Sequence, residues 1–336
     1  MQNIIYRIIG GPAYNKGILA ADESSPTIKK RFDSIGVDST EGTRHSYRHN
    51  LFSTDRLEDY IGGVILFDET IRNDETVLPL KEKGICLGIK VDKGAKPYDD
   101  NGGKLTEGLD GLPDRLKEYG KLGAEFAKWR AVLSVNDTDA CIIANAWTLA
   151  RYAKKCQDEG IVPIVEPEVI MDGRHSIHTS NEFTQKVLHH VFDALYYEKV
   201  ELESIILKPN MVLNGYASKT PLPTNFSDAK KTITNSHVVA LYTVNCFKKC
   251  VPSAVPMIAF LSGGQADGDA VQNLNEMNSS FLTPWPLSFS FGRELQNNSL
   301  ILWGDGELEL SREALLRRAI QCSMATEGEL NEFVSV

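Results

Sequence analysis

In the stretch SIILKPN, Ser204 to Asn210, one lysine follows an apolar run and directly precedes a proline. A side-chain amine at the end of so apolar a strand is desolvated, and a desolvated amine has chemistry that an exposed one lacks. An ordinary lysine, with a pKa of about 10.4, holds very little free base at neutral pH, whereas attack on a carbonyl needs the uncharged nitrogen. Lowering the pKa to about 7 takes roughly 4 to 5 kcal/mol, which burial and neighbouring cations can supply together. Lys208 is therefore a candidate nucleophile that forms a Schiff base. Pro209 holds it out of helix and removes a backbone donor, as a strand terminus permits.

The same break in pattern, an apolar run ending in polar side chains, recurs along the chain. Asp22 follows GILAA, Lys90 and Asp92 close CLGIKVD, Lys128 and Arg130 lie in FAKWRAV, and Glu166 and Glu168 lie in VPIVEPE. Ser262 ends MIAFLS, and Ser290 and Arg293 end LSFSFGR. Residues two apart share one face of a strand, so the three pairs with that spacing, Lys90 with Asp92, Lys128 with Arg130 and Glu166 with Glu168, each point the same way. If that face is an interior, cations and carboxylates meet in one cavity, which is costly unless they pair or do chemistry. Glu166 is the candidate general acid/base. Glu168 tunes it or anchors the cations, and Lys128 and Arg130, taken to lie on a strand adjacent to Lys208, help depress its pKa. A self-neutralising ion network would account for any one pair. It does not account for polar residues gathered at one end of seven strands.

Two further stretches suggest anion sites. LSGGQ (261–265) offers Ser262 and Gly263, and SFGR (290–293) offers Ser290, Gly292 and Arg293. Bare backbone N–H groups and a guanidinium grip a phosphate dianion. ADESSPTIKKR (21–31) sets Ser24, Ser25 and Thr27 ahead of a basic helical start, with helix capping by Ser25 or Thr27 as the plainer role.

Positioning these residues requires eight strands. The runs at 16–22, 61–67, 86–92, 126–132, 162–168, 203–209, 257–263 and 287–293 alternate with segments of helical spacing, the pattern of a parallel sheet. The clearest helix is Ala140 to Glu159, with an N-cap at Asn136 or Asp137 and a stop at Gly160. No Pro/Gly/Ser-rich linker divides the chain. The expected fold is therefore an α/β (β/α)8 TIM barrel in a single domain over residues 1–336, with a short N-terminal helix and a short C-terminal helical tail. Barrel active sites form at the C-terminal strand ends, and phosphate sites often follow strands seven and eight. A doubly wound sheet would usually carry G-x-G-x-x-G after its first strand, and none is present.

Composition limits the partners. The chain has 336 residues, 42% of them hydrophobic and 24% charged, with a formal net charge of −9, which argues against a nucleic-acid surface. The start, MQNIIYRIIGG, is too short and too interrupted for a signal peptide, and no run reaches membrane-spanning length, so a cytoplasmic location is expected. Six cysteines without C-x-x-C spacing read as core residues. His45 with His49, and His175 with His178, have chelating spacing but no carboxylates beside them at a strand end, so they read as satisfied or surface histidines and no metal is expected. A calcium-loop reading from Asp99 fails because Lys104 stands where the turn glycine belongs.

Taken in order, GILAADES, GGVILFDET, GIKVDKG, AEFAKWR, IVPIVEPE, LKPNMV, FLSGGQ and SFGR resemble the class I fructose-bisphosphate aldolase family, from about Lys16 to Gly304. The resemblance implies metal-independent, cofactor-free cleavage of fructose 1,6-bisphosphate in glycolysis and gluconeogenesis, with Lys208 as the Schiff-base lysine. It implies that Asp22 assists loss of the hydroxyl proton during carbon–carbon cleavage, that Glu166 is the acid/base for imine formation, and that Lys128 supports the proton transfers within a network of Arg130 and Glu168. It also implies one phosphate site at Ser262, Gly263, Gly292 and Arg293, near Ser290, and the other at Ser24, Thr27 and Lys90, with Arg31 in reserve. Family members are usually homotetramers. The departures are SSPT where the family commonly has Ser-Thr-Gly-Ser, Phe291 in place of a tyrosine, and an ending EFVSV without the mobile terminal tyrosine, from which slower protonation of the enamine is expected. The competing readings are another Schiff-base aldolase or a transaldolase, a metal-dependent aldolase, and a scaffold that has kept the fold.

Overall fold

All eight apolar runs form strands, as parallel strands buried on both faces require. They are β1 (Gly17–Ala21), β2 (Ile61–Leu66), β3 (Cys86–Lys90), β4 (Ala124–Leu133), β5 (Val162–Val169), β6 (Ile206–Leu207), β7 (Ile258–Phe260) and β8 (Leu287–Phe291). They pair in sequence order, and β1 hydrogen-bonds to both β2 and β8, so the sheet closes into a parallel (β/α)8 barrel. The structure, a computed structural model, describes residues 1–219, 222 and 235–330. Among the described residues no helix is long and apolar enough to cross a membrane.

Helices connect successive strands, among them Ser25–Asp33 after β1, Ile177–Tyr197 after β5, Asp269–Ser280 after β7 and Arg293–Gly304 after β8. Asp139–Asp158, after β4, is the helix expected from 140 to 159, and it buries Ile142, Ala146, Leu149, Ala150 and Ala153. Its cap is neither Asn136 nor Asp137. The Thr138 hydroxyl accepts the Cys141 amide, while Asp137 accepts the Ser134 amide at 2.8 Å and closes the preceding turn. Neither is Ser25 or Thr27 a cap: Ser24 occupies that position, and its hydroxyl lies 3.1 Å from Thr27 Oγ1 instead of on an amide.

A hairpin of Ala95–Pro97 and Lys104–Thr106 follows β3, its strands too short for periodicity to reveal. Within its turn, Asp99 accepts the amides of Asn101 and Gly103 at 3.0 and 2.9 Å. The last helix, Leu308–Glu327, is 20 residues long and packs against Asp269–Ser280 and Arg293–Gly304, so it is a full layer of the barrel and not a short tail. The ending EFVSV falls outside the described residues. All six cysteines are buried and unpaired.

Alternation by two fills the barrel. Ile18, Ile65, Cys86, Phe126, Val162, Ile164, Ile206, Met257 and Ala259 form an apolar floor, and Ile5 and Ile8 of the short N-terminal helix Gln2–Ile8 seal it from below. Phe126 fills the centre because β3 carries a glycine opposite it: a Cβ on Gly88 would lie 2.1 Å from the Phe126 ring. The floor is therefore dry directly beneath the polar strand ends.

That fit sets an expectation. Gly88→Ala forces the Phe126 ring aside and lowers stability by about 1–3 kcal/mol, the usual cost of overpacking. Adding Phe126→Leu to Gly88→Ala recovers part of the loss, a coupling that urea unfolding of both single variants and the double variant measures.

Candidate functional site

Strand register decides which charges meet. Lys90 lies level with Lys128 across β3 and β4, and Arg130 lies level with Glu166 across β4 and β5. The Lys208 amide donates to Val165 O at 2.8 Å, which aligns Lys208 beside Glu166. Just beyond it, buried Asn210 accepts the Val169 amide at 2.9 Å and donates to Met211 O at 3.0 Å. Asn210 thus ties the chain after Lys208 to β5. The sequence reading passed over it, although a polar residue straight after a strand-ending lysine and proline was the available signal.

Lys208, Lys128 and Glu166 are 3%, 4% and 4% exposed. Glu166 stands between the two amines, with Oε1 3.5 Å from Lys208 Nζ and Oε2 3.5 Å from Lys128 Nζ. Lys128 has a closer partner as well, Asp22 Oδ2 at 2.7 Å. Burial opposes the charge on both lysines. At Lys128 the carboxylates of Asp22, Glu166 and Asp92 outweigh burial and hold the ammonium above the ordinary lysine range. At Lys208 burial prevails, aided by the charge of Lys128, and the amine falls below that range. Burial would raise the Asp22 pKa, but Lys128, Lys208 and Lys90 override it and take it down to about 2. The result is one fixed cation, one fixed carboxylate and one amine that gives up its proton readily.

Lys128 and Arg130 are not on the strand adjacent to Lys208, because β5 lies between β4 and β6. Lys128 still acts on Lys208 through space. The Arg130 guanidinium is engaged by Glu168 instead, and Glu168 and Glu166 together outweigh burial to hold it above the usual arginine range.

Around this group opens a cavity of about 730 Å³. Of the residues read from the sequence as site candidates it is lined by Asp22, Ser24, Thr27, Arg31, Lys90, Lys128, Arg130, Glu166, Glu168, Lys208, Ser262, Gly263, Ser290, Gly292 and Arg293, and not by Ser25. A Cβ at Gly263 would lie 2.7 Å from Glu168 Oε1, so a side chain there would push on the Glu168 carboxylate. Exposed Arg293 opens the helix Arg293–Gly304. Ser290 Oγ is buried in the wall with no hydrogen-bond partner.

Arg31 differs from a free anion grip. Its guanidinium is paired with Glu23 and reaches Gln296 Oε1 at 3.2 Å. Glu23 was missed, and Asp92, named with Lys90 at the end of its strand, was given no role. Asp92 pairs with Lys90 at 2.7 Å, and its spacing of two from Lys90 was the signal. No signal marked Glu23, whose partner comes from the next helix. No histidine lines this cavity: His45 meets Thr76, and His178 lies 3.0 Å from the Tyr242 hydroxyl.

Comparison with known proteins follows the same lines. Residues 7–335 match the family described as "Fructose-bisphosphate aldolase class-I". A "Probable fructose-bisphosphate aldolase class 1" from Xylella fastidiosa is 46% identical over 329 residues, covering 94% of this chain and 95% of the relative. "Fructose-bisphosphate aldolase C-B" of Danio rerio is 44% identical, covering 98% and 90%. Among solved structures, fructose-bisphosphate aldolase from Plasmodium falciparum, in complex with TRAP and a small-molecule inhibitor, superposes with a TM-score of 0.91 at 43% identity, covering 98% of this chain and 94% of that one.

The opposed lysines make a pH prediction. The free base of Lys208 appears as pH rises through a pKa below the ordinary value, so acylation by acetic anhydride, followed by mass spectrometry, reaches half its maximum at lower pH on Lys208 than on free Nα-acetyl-lysine. Lys128→Met removes a neighbouring positive charge, raises the Lys208 pKa and moves its profile to higher pH. An unmoved profile would contradict the coupling.

Proposed function

The chain belongs to the class I fructose-bisphosphate aldolase family, and on that premise we propose how its own residues cleave fructose 1,6-bisphosphate to dihydroxyacetone phosphate and glyceraldehyde 3-phosphate. Lys208 is the nucleophile. Its proton has an acceptor 3.5 Å away in Glu166, and the neutral amine adds to the C2 ketone of the substrate. Glu166 then gives that proton to the carbinolamine hydroxyl, water leaves, and a protonated imine remains.

Cleavage follows. Asp22, held as a carboxylate by three lysines, accepts the proton of the C4 hydroxyl. The C3–C4 bond breaks, its electron pair moves into the iminium to form an enamine, and the aldehyde departs. Water or Glu166 supplies a proton to C3 and restores the iminium, Asp22 releases the proton it took, and water hydrolyses the iminium to release dihydroxyacetone phosphate and Lys208. Lys128 does not attack. Its ammonium keeps Asp22 and Glu166 in place and discourages a second charge on Lys208, with Arg130 and Glu168 bracing the outer side of the network.

The phosphate nearer the ketone binds at Ser262, Gly263, Ser290, Gly292 and Arg293, and the other binds at Ser24, Thr27 and Lys90, with Arg31 behind them. From the family we infer a homotetramer working in the cytoplasm, without metal or cofactor. The observation that carries the assignment is that two buried lysines share Glu166 and are displaced in opposite directions.

Borohydride reduction in the presence of dihydroxyacetone phosphate is expected to leave its adduct on Lys208, read by mass spectrometry, and Lys208→Met is expected to lose roughly three orders of magnitude or more in kcat. An adduct on Lys90 or Lys128 would move the nucleophile. Glu166→Gln is expected to slow imine formation by about 10²–10⁴-fold, the range for a general acid/base, in single-turnover trapping.

A further inference from the structure

The phosphate site assigned to the ketone end is assembled from two separate connections, the loop after β7 that carries Ser262 and Gly263 and the start of the helix after β8 that carries Gly292 and Arg293. The ladder between β7 and β8 pairs them only as far as Phe260 and Phe289. Beyond that point something else must hold the two connections at a constant spacing.

The residue next to Arg293 is Glu294, a carboxylate only 5% exposed on the first turn of its helix. Its Oε1 accepts the Gly268 amide at 3.0 Å, and Gly268, with φ of 84°, is the N-cap of the helix Asp269–Ser280 at the far end of the β7 loop. The same oxygen accepts from Arg318 Nη1 at 3.0 Å. Arg318, on the last helix, donates its other terminal nitrogen to Asp267 Oδ2 at 2.7 Å. One guanidinium therefore grips the β7 loop through Asp267 and the β8 helix through Glu294, from a third element that touches no substrate. Burial pushes the Glu294 carboxyl up and the Arg318 charge pulls it down, so the pair depends on both members.

We propose that Arg318 is a positioning residue for substrate phosphate, holding the Ser262–Gly263 loop and the Gly292–Arg293 turn at the separation one phosphate spans. The proposal rests on the phosphate site assigned above. A guanidinium fork suits the role, because its planar donors address two carboxylates in fixed directions, which a lysine point charge does not. Loosening the brace leaves Lys208, Glu166 and Asp22 on their strands and lets the phosphate donors drift, and misplacement of about 1 Å is enough to be felt strongly in binding.

The test uses the full-length enzyme and four variants: Arg318→Met, Arg318→Lys, Asp267→Asn and Arg293→Ala. Borohydride trapping on Lys208 is titrated with dihydroxyacetone phosphate and with unphosphorylated dihydroxyacetone, and KM and kcat are measured with fructose 1,6-bisphosphate. Arg318→Met is expected to raise KM and the half-saturating dihydroxyacetone phosphate concentration about tenfold, with kcat within about twofold and dihydroxyacetone unaffected. Asp267→Asn, a milder change on a half-exposed residue that keeps the protein folded should Arg318→Met fail to fold, is expected to give a smaller shift of the same kind. Arg318→Lys should restore part of the affinity. If Arg293→Ala loses phosphate affinity while Arg318→Met and Asp267→Asn do not, the brace is refuted and the phosphate site stands. If Arg293→Ala leaves phosphate affinity unchanged, the site assignment fails first. Equal losses for both ketones would show a structural role only and would also overturn the proposal.

Discussion

The mouth of the barrel depends on where one proton sits. Lys128 and Lys208 each stand 3.5 Å from Glu166, so the shared carboxylate does not distinguish them. Asp22, at 2.7 Å from Lys128, does. In a medium that screens charge poorly, two neighbouring ammonium groups repel and both lose hydration. The amine with the additional close carboxylate holds its proton more tightly than an ordinary lysine, and the other holds it less tightly. A buried ion network, elsewhere weak evidence of stability, here sets two chemically identical side chains apart, and that difference is what supports the proposal of Lys208 as the nucleophile.

That selection requires dryness, and dryness is set beneath the site. Phe126 lies two residues before Lys128 on the same inward face of β4, and Gly88 gives its ring the room to span the barrel. The apolar floor denies water to the two amines from below, and the close packing that excludes water also keeps their strands from shifting. Packing and pKa are in this sense one property: the ring that fills the core also makes the charge above it costly.

Much of this was legible in the sequence because strand geometry is simple. A period of two assigns each side chain to a face, and it alone places Lys128 with Arg130, and Glu166 with Glu168, on one face of their strands. What failed was information that local pattern does not carry. The order of strands around the barrel sets who neighbours whom, and there Lys128 was placed one strand too near Lys208. The cap of the helix Asp139–Asp158 turned on which of three consecutive polar residues faced the free amides, and Thr138 did. Glu23 and Asn210 gain their roles from partners on other elements. Glu294 and Arg318, 24 positions apart, belong to different helices, and no spacing rule joins them.

The division between what was readable and what was not follows the division of labour in the site. The groups proposed to make and break bonds need placement to fractions of an ångström; Lys128 and Glu166 sit within β4 and β5, and Asp22 and Lys208 directly follow β1 and β6, where the hydrogen-bonded ladder sets their height and the alternation sets their face. The proposed phosphate grip is made of backbone amides and an arginine at loops and a helix start, where neither rule reaches. Loops of this kind hold a shape only when tied from outside, so their supports must be long-range contacts such as Glu294 with Gly268 and Arg318 with Asp267. A sequence therefore announces the chemistry of such an enzyme earlier than its means of holding the substrate, because strands encode geometry locally and braces encode it only in the folded chain.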